Sequence, residues 1–194
     1  MMTPAVFEKQ EIIIDASCFI HLWKCGLLTK LNFFYSAIHI PLYVKEEIGR
    51  KGKQKRTLKE LIENYDPFLQ ICEIGNFYNV KLLYDRQTNP KAQIDRGEAE
   101  VIVQALERQI PVVLIDDRKG RKMAKSHTLI VKGTLGILNQ VKRDGLVEKI
   151  TPFLMLIGDT ENKILRRLQV SQKLFSAFLS ECEEFEYFKN SINQ

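Results

Sequence analysis

Two adjacent aspartates, Asp116 and Asp117, close the apolar run "VVLI", and a third, Asp15, closes the β-branched run "EIII". In the segment "RGEAEVIVQAL", Glu98 leads an apolar stripe, with Val101 and Ile102 at i+3 and i+4 and Ala105 and Leu106 at i+7 and i+8. Glu46 and Glu47 end the short segment "LYVKEEIG". Carboxylates brought together on one sheet edge repel one another and raise each other's pKa unless a cation sits among them. An oxygen-only ligand set, without Cys or His, suits Mg²⁺ or Mn²⁺ rather than zinc. Such a centre activates a water and stabilises the charge developing on a phosphodiester, so phosphodiester hydrolysis is the simplest chemistry these residues imply.

Cations stand directly after the acids. Arg118, Lys119, Arg121, Lys122 and Lys125 follow the aspartates, and Arg50, Lys51, Lys53, Lys55 and Arg56 follow the glutamates. They suit a phosphate backbone held beside an acidic pocket. Over the 194 residues, 29 Lys and Arg against 24 Asp and Glu give a net charge of +5, which mildly favours polyanionic partners.

Each acid also has a structural reading. Asp15 could cap the helix that follows it, as could Ser17. Asp95-x-x-Glu98 has the spacing of a capping box. Glu46 and Glu47 could lie on a solvated helix face. One aspartate of the pair can cap the helix near Arg118, but two cannot occupy the same position. Glu100 shares a face with Gln104 and Glu107 and is expected to point into water.

The elements that must position these residues alternate. "EIIID" reads as a strand, followed by helical spacing broken at Gly26. "AIHIP" reads as a second strand, with Pro41 opening a helix that Gly49 closes. Residues 50–65 begin as a basic loop and become amphipathic through Leu58, Leu61, Ile62 and Tyr65, and residues 66–95 carry no clear signal. A helix near Asp95, the strand "VVLI", a basic helix from Arg118, the strand "LIV" and a helix N-capped by Thr134 follow. This cadence predicts an α/β fold with a parallel sheet and helices on both faces, over residues 1–150. Residues 151–194 read as a helical extension on the same domain, in two segments, "FLMLIGD" and "ILRRLQVSQKLFSAFLSECEEF". In open parallel sheets, ligands bind beyond the carboxyl ends of the strands, where Asp15, Asp116 and Asp117 fall.

Composition narrows the classes further. With 45% hydrophobic and 27% charged residues, the chain is ordinary globular material. Cys18, Cys25, Cys72 and Cys182 show no C-x-x-C pair, which suits buried free thiols. No run approaches the length of a membrane span, so a soluble cytoplasmic protein is expected. Neither a G-x-G-x-x-G nor a G-x-x-x-x-G-K-[ST] follows a strand, which disfavours nucleotide-cofactor enzymes. Asp15-Ala16-Ser17 lacks both the D-x-D of a phosphatase and the paired acids of a receiver domain. His21, His39 and His127 share no metal-ligand spacing and are expected to be structural or exposed.

The ordered motifs "IIIDAS", "IPLYVKEEI", "DRGEAEVIVQALE", "VVLIDDRKGRKMA" and "VKGTLGILNQVKRDGLV" resemble those of PIN-domain proteins, in particular a small prokaryotic branch described as predicted nucleic-acid-binding proteins. The resemblance runs from Ile12 through the C-terminal helices. It implies a three-layer α/β/α fold and cleavage of RNA, dependent on Mg²⁺ or Mn²⁺, by an acidic cluster. It matches Asp15, Glu47, Glu98 and Asp117 to the catalytic acids, of which Asp15, Glu98 and Asp117, with Asp116, would hold metal. Glu46 and Asp116 are the neighbours that could substitute. Glu98 stands where many PIN nucleases carry aspartate. Arg118, Lys119, Arg121, Lys122, Arg50, Lys51 and Lys53 would then bind the nucleic acid. Many small PIN proteins resemble toxins held in check by an antitoxin partner, so the resemblance also brings in an antitoxin-like protein and a homodimer as partners. A nuclease, and a PIN-like module that binds nucleic acid or a partner without turnover, are the two functions it offers.

Overall fold

The computed structural model describes residues 9–50, 60, 67–73, 75–85 and 93–192. The predicted amphipathic segment at Leu58, Leu61, Ile62 and Tyr65 lies outside them. Five strands, β1 (Gln10–Ile14), β2 (Tyr35–Pro41), β3 (Leu69–Cys72), β4 (Val112–Leu114) and β5 (Ile130–Lys132), form one sheet in the order β3-β2-β1-β4-β5. Every pairing is parallel, and Ile12 at the centre is in register with Ile38 on one side and Val112 on the other. From β1 the chain winds outward through β2 and β3, then crosses back to β4 and on to β5. The strand order therefore reverses between β1 and β4, the place where such sheets open a crevice.

Ile12, Ile13 and Ile14 are consecutive and all fully buried, which requires cover on both faces of the strand. Helices supply that cover, in a three-layer α/β/α arrangement. In the first half they are α1 (Ala16–Lys24), α2 (Leu42–Arg50) and α3 (Phe77–Asp85), with a 3₁₀ turn at Thr29–Phe33. The second half adds α4 (Arg96–Glu107), α5 (Arg118–Ser126) and α6 (Thr134–Arg143). Helix α1 ends where expected, at a Gly26 with φ of +63. Pro41 closes β2 instead of opening α2, and Gly49 lies within the last turn of α2. The stretch that carried no clear signal holds β3, a four-residue edge strand, and α3.

Beyond residue 150 the described chain makes four helices, not two segments: α7 (Thr151–Ile157), α8 (Glu161–Leu168), α9 (Gln172–Glu181) and α10 (Phe185–Ile192). The long predicted helix breaks at Gln169 and Glu183, both in the left-handed region. Ser171, whose hydroxyl accepts from the Leu174 amide, starts α9 afresh. Leu154, Ile157, Ile164, Leu168, Phe175, Leu179 and Phe188 are fully buried and continuous with the sheet core. Buried Glu184 fastens this extension, accepting from the Ile150 amide at 2.8 Å, the Thr151 amide at 2.8 Å and Lys142 Nζ at 2.5 Å. Although burial pushes it up, the Lys142 contact and these amides hold its carboxyl below the ordinary glutamate value. All four cysteines are buried free thiols, and among the described residues no helix is long and apolar enough to cross a membrane.

Candidate active site

The reversal of strand order puts the ends of β1 and β4 side by side. The Asp15 amide donates to the Leu114 carbonyl at 2.9 Å, continuing the ladder by one residue. One oxygen of Asp15 accepts from the Cys18 amide at 2.7 Å and so caps α1, while the other accepts from the Asp116 amide at 3.4 Å. Burial, with the Asp116 charge next to it, pushes the Asp15 carboxyl up to about 8.

The two adjacent aspartates take separate tasks. Asp117 is the N-cap of α5, its Oδ1 accepting from the Lys119 amide at 2.7 Å and the Gly120 amide at 2.9 Å. Asp116 turns inward and caps a different helix. Its Oδ1 accepts from the Thr134 amide at 2.8 Å, and its Oδ2 meets the Thr134 hydroxyl at 2.6 Å and His21 Nδ1 at 2.9 Å. Thr134 is therefore the first residue of α6 and not its N-cap; that position is Gly133, which has no side chain to offer. A Cβ at residue 133 would stand 2.8 Å from Asp116 Oδ1, so only glycine lets α6 come this close.

Glu98 joins from α4 through a complete capping box: its Oε2 accepts from the Asp95 amide at 2.9 Å, and Asp95 Oδ1 accepts from the Glu98 amide at 2.8 Å. The structural reading of this pair holds, and the side chain still reaches the acids at the strand ends. Burial pushes its carboxyl up to about 9, with the charges of Asp95, Asp117 and Asp15 adding to it. Gly120 makes room for this approach, since a Cβ there would lie 3.0 Å from Glu98 Cδ and 3.0 Å from Ile115 Cγ2. Asp95 is raised mainly by burial, with the Glu47 and Asp117 charges adding. The sequence offered Asp95 only as a cap, and that i, i+3 pattern was the signal for it.

Glu47 reaches the same place from α2, its Oε2 standing 3.3 Å from where a Cβ on Gly97 would be. The charge of Glu46 acts instead on Glu100. Thus Asp95, Glu98 and Glu47 lie together at the start of α4, the charges of Asp15 and Asp117 act on Glu98, and the Asp116 amide bonds to Asp15. Glu100 corrects the sequence reading: it is not in water but fully buried. Its Oε2 accepts from the Tyr43 amide at 3.1 Å, and its Oε1 from Arg96 Nε at 3.1 Å. Helix α4 is buried from Gly97 through Ala105, because α2 and α3 cover the flank that an amphipathic pattern leaves to solvent. Leu106, the last member of the predicted stripe, is 43% exposed.

Of the basic residues, Arg118, Lys119 and Lys122 are exposed along α5. Arg121 is turned to internal use, donating to the Asp116 carbonyl and to the Gln169 carbonyl at 3.3 Å. Lys51 and Lys53 lie outside the described residues, as does the Arg50 side chain. His21, which sequence reading left as structural or exposed, is a buried partner of Asp116. Its spacing from Cys18, one helical turn earlier on a capped helix, was the available hint.

The converging donors are all carboxylate oxygens, the chemistry that hard divalent cations select. Two of them, Asp15 and Glu98, have their protonated form favoured by burial and by neighbouring carboxylates, Asp116 for the first and Asp95, Asp117 and Asp15 for the second, which a nearby cation would reverse. The donor chemistry therefore fits a divalent metal. Among the described residues, no three His, Cys, Asp or Glu side chains form a ready-made coordination group, and Glu98 and Asp95 are turned toward each other's amides. A family model described as a PIN domain matches residues 11–184. No curated protein matches the chain.

Proposed function

The chain belongs to the PIN-domain family, whose members are in general nucleases, and on that premise we propose that it is a metal-dependent ribonuclease hydrolysing RNA phosphodiester bonds at the ends of β1 and β4. What supports this reading is that Asp15 accepts from the Asp116 amide at 3.4 Å, Asp117 accepts from the Gly120 amide at 2.9 Å, and Glu98 Cδ lies 3.0 Å from where a Cβ on Gly120 would be, so that acids from three separate parts of the chain are neighbours. Neighbouring buried carboxylates are costly unless a cation joins them.

Asp15, Glu98 and Asp117 would hold Mg²⁺ or Mn²⁺, which when bound supplies an activated water and offsets charge on the phosphodiester oxygens. Glu47 faces the same space from α2 and is the fourth acid. Asp116, with both oxygens already bonded by Thr134 and His21, acts as a positioning residue that keeps the end of β4 against α6. Asp117 fixes the start of α5, so that Arg118, Lys119 and Lys122 stand in solvent beside the acids and take the phosphates of the strand.

The test is cleavage of single-stranded RNA, tRNA and ribosomal RNA fragments by the purified chain with Mg²⁺, with Mn²⁺ and with a chelator. Metal-dependent cleavage is expected, with Asp15→Asn and Asp117→Asn each slowing it by ~100-fold or more, the scale for losing one preorganised electrostatic contact. Absence of cleavage across the panel, or cleavage indifferent to both substitutions, refutes the reading.

The capping box favours a second reading, in which Glu98 is spent on helix α4 and the protein binds nucleic acid without turnover. Retained RNA binding with no cleavage at any metal concentration would select it. The ribonuclease reading includes an inhibitory partner over the acidic cleft and a homodimer, both of which size-exclusion chromatography of the chain, alone and co-purified, examines.

A further inference from the structure

A second built feature stands at the rim of the acidic cluster. Arg96, one residue before Gly97, lays its guanidinium over the Tyr43 ring, 4.6 Å from the ring centroid. Glu100 anchors both members: one oxygen takes Arg96 Nε and the other takes the Tyr43 amide. The anchor is completely buried, whereas the Arg96 side chain remains 41% exposed. Tyr43 and the acids share one small space. A Cβ on Gly97 would meet Asp95 Oδ1 and Glu47 Oε2 at 3.3 Å and Tyr43 Cδ1 at 3.7 Å.

Stability alone accounts poorly for this arrangement. Burying Glu100 is costly, its carboxyl being raised by that burial, and a half-exposed ion pair returns little. The arrangement fixes the plane of a guanidinium backed by an aromatic ring, on a side chain that stays partly exposed. Unpaired nucleobases stack on such planes, whereas a phosphate is met at the N–H edge of a guanidinium, where Arg96 Nε is already bonded to Glu100.

We propose that Arg96, held flat on Tyr43, is a stacking platform for one unpaired base of single-stranded RNA next to the phosphate at the acidic cluster. The proposal rests on the ribonuclease reading of that cluster. It makes Arg96 a specificity residue that favours single strands over duplex and detects a base at one position.

Binding can be read without turnover, using the full chain with Ca²⁺, a labelled single-stranded RNA, and the same RNA carrying one abasic nucleotide walked along its length. The wild-type protein is expected to lose roughly ten-fold in affinity, or more, at one abasic position, the range for a single stacked base. Arg96→Lys should show a similar loss on intact RNA and no further loss at that position. Tyr43→Phe, which keeps the ring, should behave as wild type, and thermal melting checks that each variant is folded. Wild-type affinity in Arg96→Lys overturns the platform, since charge alone then suffices, as does an abasic penalty that Arg96→Lys leaves intact. Binding with the expected abasic profile but no cleavage in Mg²⁺ or Mn²⁺ supports the platform while rejecting the nuclease. No RNA binding at all rejects both.

Discussion

Asp15→Asn should make the metal-free protein more stable near neutral pH while slowing the proposed RNA cleavage by ~100-fold or more. Burial and the adjacent Asp116 push the Asp15 carboxyl from its ordinary 3.8 to about 8, so the folded state holds a proton that the unfolded chain has already released. Stability therefore falls as pH rises from about 4 towards 8, and levels off above. Between 3.8 and a pH of about 7 lie roughly three pH units, which at ~1.4 kcal/mol each set a ceiling of about 4 kcal/mol. The charge is shared with Asp116, and the amide gives up the 3.4 Å bond from the Asp116 amide while it can keep the Cys18 cap. A net gain of about 2 kcal/mol is the reasonable expectation. Urea unfolding in a chelating buffer should show that gain at about pH 7 and its near disappearance at about pH 3, where wild-type Asp15 is protonated in both states. Added Mg²⁺ should stabilise the wild type and leave Asp15→Asn largely unaffected. A variant less stable than wild type by an amount constant across this pH range would refute the reasoning, leaving Asp15 as a simple helix cap.

Gly133→Ala should cost about 1–3 kcal/mol, because its Cβ would press on Asp116 Oδ1 at 2.8 Å; a lowered melting temperature in calorimetry is the check. Glu184→Gln should cost about 2 kcal/mol in urea unfolding by weakening the Lys142 contact and the caps at Ile150 and Thr151. Replacing Lys119 and Lys122 together with alanine should weaken RNA binding at all sequences and reduce the slope of log affinity against log salt by about 1–2, measured by titration at several salt concentrations.

How legible these residues were depended on how far away their partners lie. Asp15, Asp95 and Glu98 declared themselves because capping is a local pattern in which each bond spans three residues. The parallel sheet was legible too, since three consecutive buried isoleucines and the alternation of strand and helix leave little other architecture open. By contrast, β3 is a short, half-buried edge strand whose apolar pattern is too brief to read. Glu100 looked solvated because its burial comes from α2 and α3, and nothing within its own helix reports that.

The adjacent aspartates show the division most clearly. By itself, the sequence determined that Asp116 and Asp117 end a buried strand, that both cannot cap the same helix, and that carboxylates recur at the carboxyl side of the sheet. Which aspartate does which was decided by the tertiary structure. Asp117 caps α5, which follows it directly, and Asp116 caps α6, 18 residues on, while bonding to His21, 95 residues before it. Those contacts depend on β1 and β4 lying side by side and on Gly133 and Gly120 allowing close approach, terms set by packing between distant segments and not by any local preference.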